Sequence, residues 1–300
     1  MPLPIRHVLV RQDQPSLTQV GIATQHFPTY VNPKQRNWFT HDVLYCSLLL
    51  SGRVTHHLGS DSYTESSGSL SVVNYGVEHN IVTGTEPVEV FNVYIDTERH
   101  ALPPIPSELA SHLYRLLPVH PRFAHRLNRL TRVTLPDPQR TAGWLHAIQR
   151  EQSGTDAGSA TTMLALTQLF LVDLARAVAA QQSGPSLAVG ADDELMEAVR
   201  QKLDDHFAQE WFLADLAKET HLSSTHFCRR FARYTGCPPM LYLRNRRLQE
   251  VMVKLRNSDQ NILDLALACG FSDLAYFNRC FKAAAGCTPS AYRVRFVGTM

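Results

Sequence analysis

Apolar and polar positions change rhythm three times along the chain. Over residues 43–95 the apolar residues fall in short runs, "DVLYCSLLLSGRVTHHL", "SYTESSGSLSVVNYG" and "VEVFNVYI", cut by Gly, Ser and Asn and showing little helical period. Such runs predict the strands of an antiparallel sheet or small barrel. Over residues 106–182 the rhythm becomes helical, in "PSELASHLYRLL", "PRFAHRLNRLTRV", "PQRTAGWLHAIQRE" and "SATTMLALTQLFLVDLARAVAAQQ", separated by Pro or Gly. The last segment carries Leu164, Leu166, Leu169, Phe170, Leu171, Val172, Leu174 and Val178 around most of its circumference. A helix apolar all round must be buried, against the strands or against a second subunit. Residues 183–193, "SGPSLAVGADD", read as a flexible linker.

Beyond the linker one pattern occurs twice. "HLSSTHFCRRFARYTG" and "GFSDLAYFNRCFKAAAG" both carry an apolar residue and a serine, then two phenylalanines four residues apart, then a glycine. Phe227, Phe231 and Gly236 match Phe277, Phe281 and Gly286 at an offset of 50, whereas Ala217, Leu222 and Ser223 match Ala266, Phe271 and Ser272 at 49. The second copy thus has one extra residue between its serine and its first phenylalanine, as an internal duplication with a slip would leave it. Each copy predicts helix, turn, helix. In the first, Leu213, Leu216 and Ala217 share a face, Leu222 fills the turn, Ser223 caps, and Phe227, Phe231 and Tyr234 point inward. In the second, Ile262, Leu265 and Ala266 share a face, Gly270 stops the helix, Ser272 caps, and Phe277 and Phe281 point inward. The outward faces hold Thr225, His226, Cys228, Arg229 and Arg233 in one copy and Leu274, Ala275, Asn278 and Arg279 in the other. A short helix with a polar, arginine-bearing face suits a DNA major groove, where arginine pairs with guanine and asparagine with adenine. An ordinary helical hairpin is the alternative; two in tandem make it the poorer one.

Between the copies, "PMLYLRNRRLQEVMVKLRN" is an uninterrupted amphipathic helix with Leu241, Leu248, Val251, Met252 and Leu255 on its apolar side. About 16 residues at 1.5 Å each give a strut of roughly 24 Å, able to hold two reading heads about one duplex turn apart. Charge sharpens this picture. From Trp211 onward there are 13 Lys+Arg against 6 Asp+Glu, leaving 16 basic and 21 acidic residues for the rest of a chain with net charge +2. A basic block joined to an acidic one places the polyanion partner at the C-terminal end. The six cysteines form no CxxC pair and read as reduced thiols. No signal peptide or membrane-spanning run is read, so the expected location is the cytoplasm, with no membrane partner.

The stretch "LADLAKETHLSSTHFCRRFARYTGCPPMLYL" and, above all, "GFSDLAYFNRCFK" followed by "TPSAYR" resemble the DNA-binding domain of the AraC/XylS family of bacterial transcription regulators. The resemblance covers about the last 100 residues. It implies base contacts at Thr225, Cys228 and Arg229 and at Leu274, Ala275, Asn278 and Arg279. Cys228, Leu274 and Ala275 are poor hydrogen-bonding readers, which leaves Arg229 and Arg279 as the main ones. It also implies a cupin-like effector barrel, a dimer, and RNA polymerase as a partner. "GSLSVVNYGVEHN" resembles the second cupin motif, with Asn74 where proline is usual. In metal-binding cupins the histidine at the place of His79 is a ligand; here His56, His57 and Glu65 stand at the wrong spacing to complete a set. A metal-free barrel is therefore the expectation.

The combined expectation is an α+β two-domain chain: a cupin-like barrel over 1–105, a helical dimerisation or packing region over 106–182, the linker, and an all-α domain with two helix-turn-helix units over 194–300. Its function is a sequence-specific, double-stranded-DNA-binding activator answering a small molecule, a sugar or related metabolite. Trp38, His41, Tyr45, Arg53, His56, Tyr75 and His79 are the expected effector contacts. No catalytic residue and no cofactor are expected, since no GxSxG, HExxH or phosphate-binding glycine loop occurs. The competing reading is a metal-dependent cupin enzyme with an accessory nucleic-acid module.

Overall fold

The computed structural model describes residues 5–33, 38–58, 61–100, 102–117, 132–182, 191–235 and 237–297. The described residues up to 182 form one compact unit and those from 191 onward a second.

In the first unit the elements run β1 (Ile5–Val8), α1 (Val10–Asp13), α2 (Pro15–Val20), β2 (Ile22–Tyr30), β3 (Trp38–His41), β4 (Leu44–Ser51), β5 (Arg53–Leu58), β6 (Asp61–Ser66), β7 (Ser69–Val73), β8 (His79–Thr83) and β9 (Val88–Ile95). Then follow α3 (Ser107–Leu116), β10 (Arg132–Thr134), α4 (Pro138–Ser153) and α5 (Ser159–Gln182). The strands make two five-stranded sheets, ordered β1-β3-β8-β5-β6 and β10-β7-β4-β9-β2, antiparallel except for the β1–β3 pair. Among the described residues no ladder joins one sheet to the other, so the strands form two open sheets and not a closed barrel.

The second sheet is covered on both faces. Tyr45, Leu49, Val73 and Tyr94 share a core with Val54 and Ile81 of the first sheet. The alternate residues Leu44, Cys46, Leu48, Phe91 and Val93 pack with Leu145, Phe170, Leu171, Leu174 and Val178 of the helices. Two-sided burial is why β4 reads as a mostly apolar run with no alternation, its Ser47 buried with the rest. A polar tie also crosses between the sheets: His56 Nδ1 and Ser71 Oγ both hydrogen-bond Glu65 Oε1, the histidine at 2.8 Å, with His56 and Glu65 both buried.

Strands β1, β2 and β3 lie outside the window in which strands were expected. β2 contains Pro28, sits at a sheet edge and shifts register against β9 between Phe27 and Tyr30, which breaks its alternation. The helical segment expected from Pro121 lies mostly outside the described residues. Its last residues, from Arg132, are the edge strand β10, with Val133 opposite Leu70. α5 has the length and composition to cross a membrane, with mean hydropathy 1.6 over an 18-residue stretch within Ser159–Gln181. Half of that stretch is buried inside the unit, and Asp173 at its middle accepts hydrogen bonds from Arg140, Trp144 and Thr141. It is the core helix of this unit.

The second unit consists of α6 (Ala191–Asp205), α7 (Leu213–Glu219), α8 (Ser224–Thr235), α9 (Pro239–Asn257), α10 (Ile262–Ala268), α11 (Leu274–Ala285) and α12 (Pro289–Val297). The last three residues assigned to the linker, from Ala191, therefore belong to a helix; residues 183–190 lie outside the described residues. α9 is not the half-exposed strut its pattern suggests. Tyr242, Leu243, Leu248, Val251, Met252 and Leu255 are buried, and so are Asn245, Gln249, Arg246 and Arg256. Arg246 stacks 4.6 Å over the Phe207 ring and reaches Glu250 at 3.0 Å. Arg200, Asp204 and Tyr242 form a further buried network. Part of the positive balance of this unit is thus structural and does not face solvent.

Candidate nucleic-acid interface and ligand cavity

The repeat is visible as geometry. α8 and α11 start and end 50 residues apart, α7 and α10 49 apart, so the extra residue lies in the second turn. Phe227 and Phe231 are fully buried, as are Phe277 and Phe281, and each pair has ring centroids 5.7 Å apart. Tyr242 stands edge-on to Phe231 at 5.6 Å and Tyr292 edge-on to Phe281 at 5.4 Å, so both copies anchor on a tyrosine from the helix that follows. Tyr234 is half-buried and donates to Glu197 at 2.8 Å. Burial would raise the Glu197 carboxyl, but Arg200, with Tyr234 and Gln201, brings it down to about 2, and this fixes α6 against α8.

The caps differ from expectation in one copy. Ser223 Oγ accepts from His226 N at 3.3 Å, as expected. In the second copy the cap is Asp273, whose Oδ1 accepts from Ala275 N at 2.8 Å and Tyr276 N at 3.0 Å. Ser272 is one residue too early to cap α11, because the inserted residue moves the helix start.

Thr225, His226, Arg229 and Arg233 are exposed on α8, with Cys228 half-buried among them; Leu274, Ala275, Asn278 and Arg279 are exposed on α11. Each helix therefore presents a surface with its arginine at the same place, Arg229 matching Arg279. Tyr276, which the sequence pattern did not single out, is 42% exposed beside Arg279, whose guanidinium lies 6.0 Å from its ring. The Arg247 guanidinium, in contrast, turns inward to the carbonyls of Phe207 at 2.8 Å and Gln209 at 2.6 Å.

In the first unit a cavity of about 200 Å³ lies between the sheets. Of the seven expected effector contacts it gathers three, His41, Tyr45 and His79. The other four do not line it. Trp38 is half-buried beside His57, Arg53 is exposed, His56 is held by Glu65, and the Tyr75 hydroxyl pairs with Thr97 at 2.9 Å. The sequence pattern missed Phe27, Tyr30, Asn92 and Tyr94, which β2 and β9 bring to the wall; period-2 alternation along β9 is the signal that puts Asn92 and Tyr94 on one face.

The wall is aromatic and uncharged at neutral pH. His41 stacks on Tyr45 at 4.6 Å, and His79 on the same ring at 4.8 Å. Burial pushes His41 down to about 4. Burial, then the neighbouring His41 and His56, holds His79 well below the ordinary imidazole value, against the carbonyls of Val77 and Phe39. Burial likewise raises Tyr30, Tyr45 and Tyr94. Among the described residues no three His, Cys, Asp or Glu come together to hold a metal.

Comparison with known proteins agrees with the C-terminal geometry. Residues 216–295 match a family described as "Helix-turn-helix domain". The chain is 23% identical over 257 residues to the HTH-type transcriptional activator RhaR of Mannheimia succiniciproducens, covering 86% of this chain and 87% of that one. It is 36% identical over 155 residues to RhaR of Pectobacterium carotovorum, covering 50% and 52%. Among solved structures, unsaturated fatty acid bound ToxT from Vibrio cholerae covers 93% of this chain and 95% of its own at 14% identity, with a TM-score of 0.37, too loose a superposition to inform the fold.

Proposed function

We propose that the chain is a DNA-binding transcription regulator of the AraC family, an activator whose two recognition helices read successive major-groove segments under the control of a small molecule held in the N-terminal cavity. The observation that carries the DNA reading is the duplicated unit. Two helices of equal length, each pinned by a buried phenylalanine pair, expose an arginine at the same position, Arg229 and Arg279. A bidentate arginine–guanine contact is the commonest specific contact in a major groove. Asn278 beside Arg279 supplies a partner for adenine, and Leu274 and Ala275 supply apolar contact for a thymine methyl. α9, 19 residues long, spans about 28 Å at 1.5 Å per residue, near the spacing of one duplex turn.

The sensing half of the proposal rests on the cavity between the sheets, the arrangement expected of a cupin-like effector domain. Leu164 and Leu169 are exposed on α5, half of which is buried in the unit, and they support a homodimer through that helix. RNA polymerase is the partner an activator requires, and the cytoplasm is where it meets its operator. An effector can act here only by favouring one arrangement of the protein over another, with a coupling of about 1–3 kcal/mol.

Fluorescence anisotropy with a selected operator and its single-base variants tests the readout. Arg279→Ala should weaken binding by about 1–3 kcal/mol and relax discrimination at one or two base pairs, and Arg229→Ala should do so about one turn away. Equal loss on every sequence would assign both arginines to phosphates and defeat the assignment.

A further inference from the structure

Accepting the cavity between the sheets as the effector site, we propose that its ligand is a small, uncharged, single-ring aromatic compound bearing one or two hydrogen-bonding groups, such as a phenol or an aromatic alcohol, and not a sugar or a carboxylate. This inference departs from the sugar-like metabolite expected from the sequence.

Size sets the first limit. A cavity of roughly 150 Å³ lined by apolar side chains takes a benzene ring, so about 200 Å³ accommodates one ring with a few substituent atoms. A second ring or a long acyl chain would have to extend through the open side of the cavity. Charge sets the second. No Lys, Arg, Asp or Glu lines the cavity, and its two histidines are neutral at physiological pH. A carboxylate there would be desolvated without a counter-charge, which is strongly unfavourable.

The hydrogen-bonding inventory sets the third. Three tyrosines and Asn92 reach the wall, yet they are largely committed to the protein. The Tyr45 hydroxyl donates to Asn92 Oδ1 at 2.8 Å, Asn92 Nδ2 reaches the Tyr94 hydroxyl at 3.4 Å, and Tyr30 pairs with Asn32. Left over are His41 Nδ1, buried with no hydrogen-bond partner, and His79 Nδ1, which makes no hydrogen bond of good geometry. Two open polar atoms can satisfy one or two groups on a ligand. They cannot satisfy the four or five hydroxyls of a pyranose, each of which would be left desolvated at a cost of about 1–3 kcal/mol. The shape of the wall agrees with this count. His41, His79 and Tyr45 already stack on one another at 4.6–5.0 Å, and Phe39 and Tyr94 lie at 5.7–6.3 Å from the histidines, so a further flat ring meets aromatic faces and edges.

Calorimetric titration of the full chain with 4-methylphenol, toluene, 4-methylbenzoate and D-glucose tests the inference. We expect saturable binding of 4-methylphenol, at least tenfold weaker binding of toluene and of the benzoate, and none of the glucose. His41→Phe keeps the ring and removes the nitrogens; it should weaken the phenol about tenfold and bring it close to toluene. Val90→Phe fills the cavity from β9 and should abolish binding, with circular dichroism and the melting temperature verifying that both variants remain folded. Absence of saturable binding by 4-methylphenol overturns the proposal, as does phenol binding that neither variant changes. Glucose binding lost in Val90→Phe overturns the aromatic class while preserving the cavity as the effector site. Phenol that binds in this way without altering operator affinity upholds the ligand class and removes the effector role from which it started.

Discussion

The two helix-turn-helix copies arrive at the same geometry through different turns. In the first, residues 220–223 link α7 to α8; in the second, residues 269–273, one more, link α10 to α11. Both turns need one residue with positive φ just past the C-cap of the first helix. The first copy places His221 there, at φ 54°, and the second Gly270, at φ 86°. The difference is one of crowding. His221 is exposed, so its side chain costs only the intrinsic penalty of the left-handed region, about 1–2 kcal/mol. A Cβ on Gly270 would lie 2.7 Å from the Ala208 carbonyl oxygen and 2.9 Å from Arg247 Nε. Arg247 in turn holds the carbonyls of Phe207 and Gln209, so the second turn is pressed against the segment that precedes the first copy. The glycine is needed for close approach as well as for conformation.

Three measurements would break or sharpen that contrast. The largest effect is expected where the copies agree: Phe281→Ala and Phe231→Ala should each destabilise the C-terminal unit by about 3–5 kcal/mol, with DNA binding lost through unfolding. Chemical denaturation with a parallel DNA titration checks this, and a variant that kept its stability while losing DNA would place the phenylalanine at the interface. The turns should respond oppositely. Gly270→Ala should cost about 1–3 kcal/mol, while His221→Gly should be neutral or stabilising by up to about 1 kcal/mol; equal destabilisation by both would remove the distinction drawn between them. The smallest effect concerns the caps. Asp273 accepts two backbone N–H bonds and Ser223 one long one, so Asp273→Ala should cost about 1 kcal/mol or more and Ser223→Ala less, read from thermal melts.

Much of the DNA-binding unit was legible in the sequence because its signals are local. The phenylalanine pairs, the one-residue slip and the arginine-bearing faces follow from helical periodicity over a dozen residues. Ser272 was misread as the cap because serine is a good capping residue and the inserted position could not be located without the helix start. The cavity was much less legible. His41, Tyr45 and His79 come from three different strands, and what brings them together is the pairing of β3 with β8 and the facing of β8 with β4. Trp38, Arg53, His56 and Tyr75 were grouped with them by residue type, and residue type carries no information about which face of which sheet a side chain reaches.

The sequence by itself determined the duplicated helical unit, its buried phenylalanines and its two outward arginines, since a helix sorts its own faces once its period is set. Only the tertiary structure decided that the strands form two open sheets, that α9 is buried nearly all round with its arginines turned inward, and that the space between the sheets is aromatic and uncharged. Those outcomes depend on long-range strand register and on which polar atoms find partners, and one strand or one helix taken alone does not specify either.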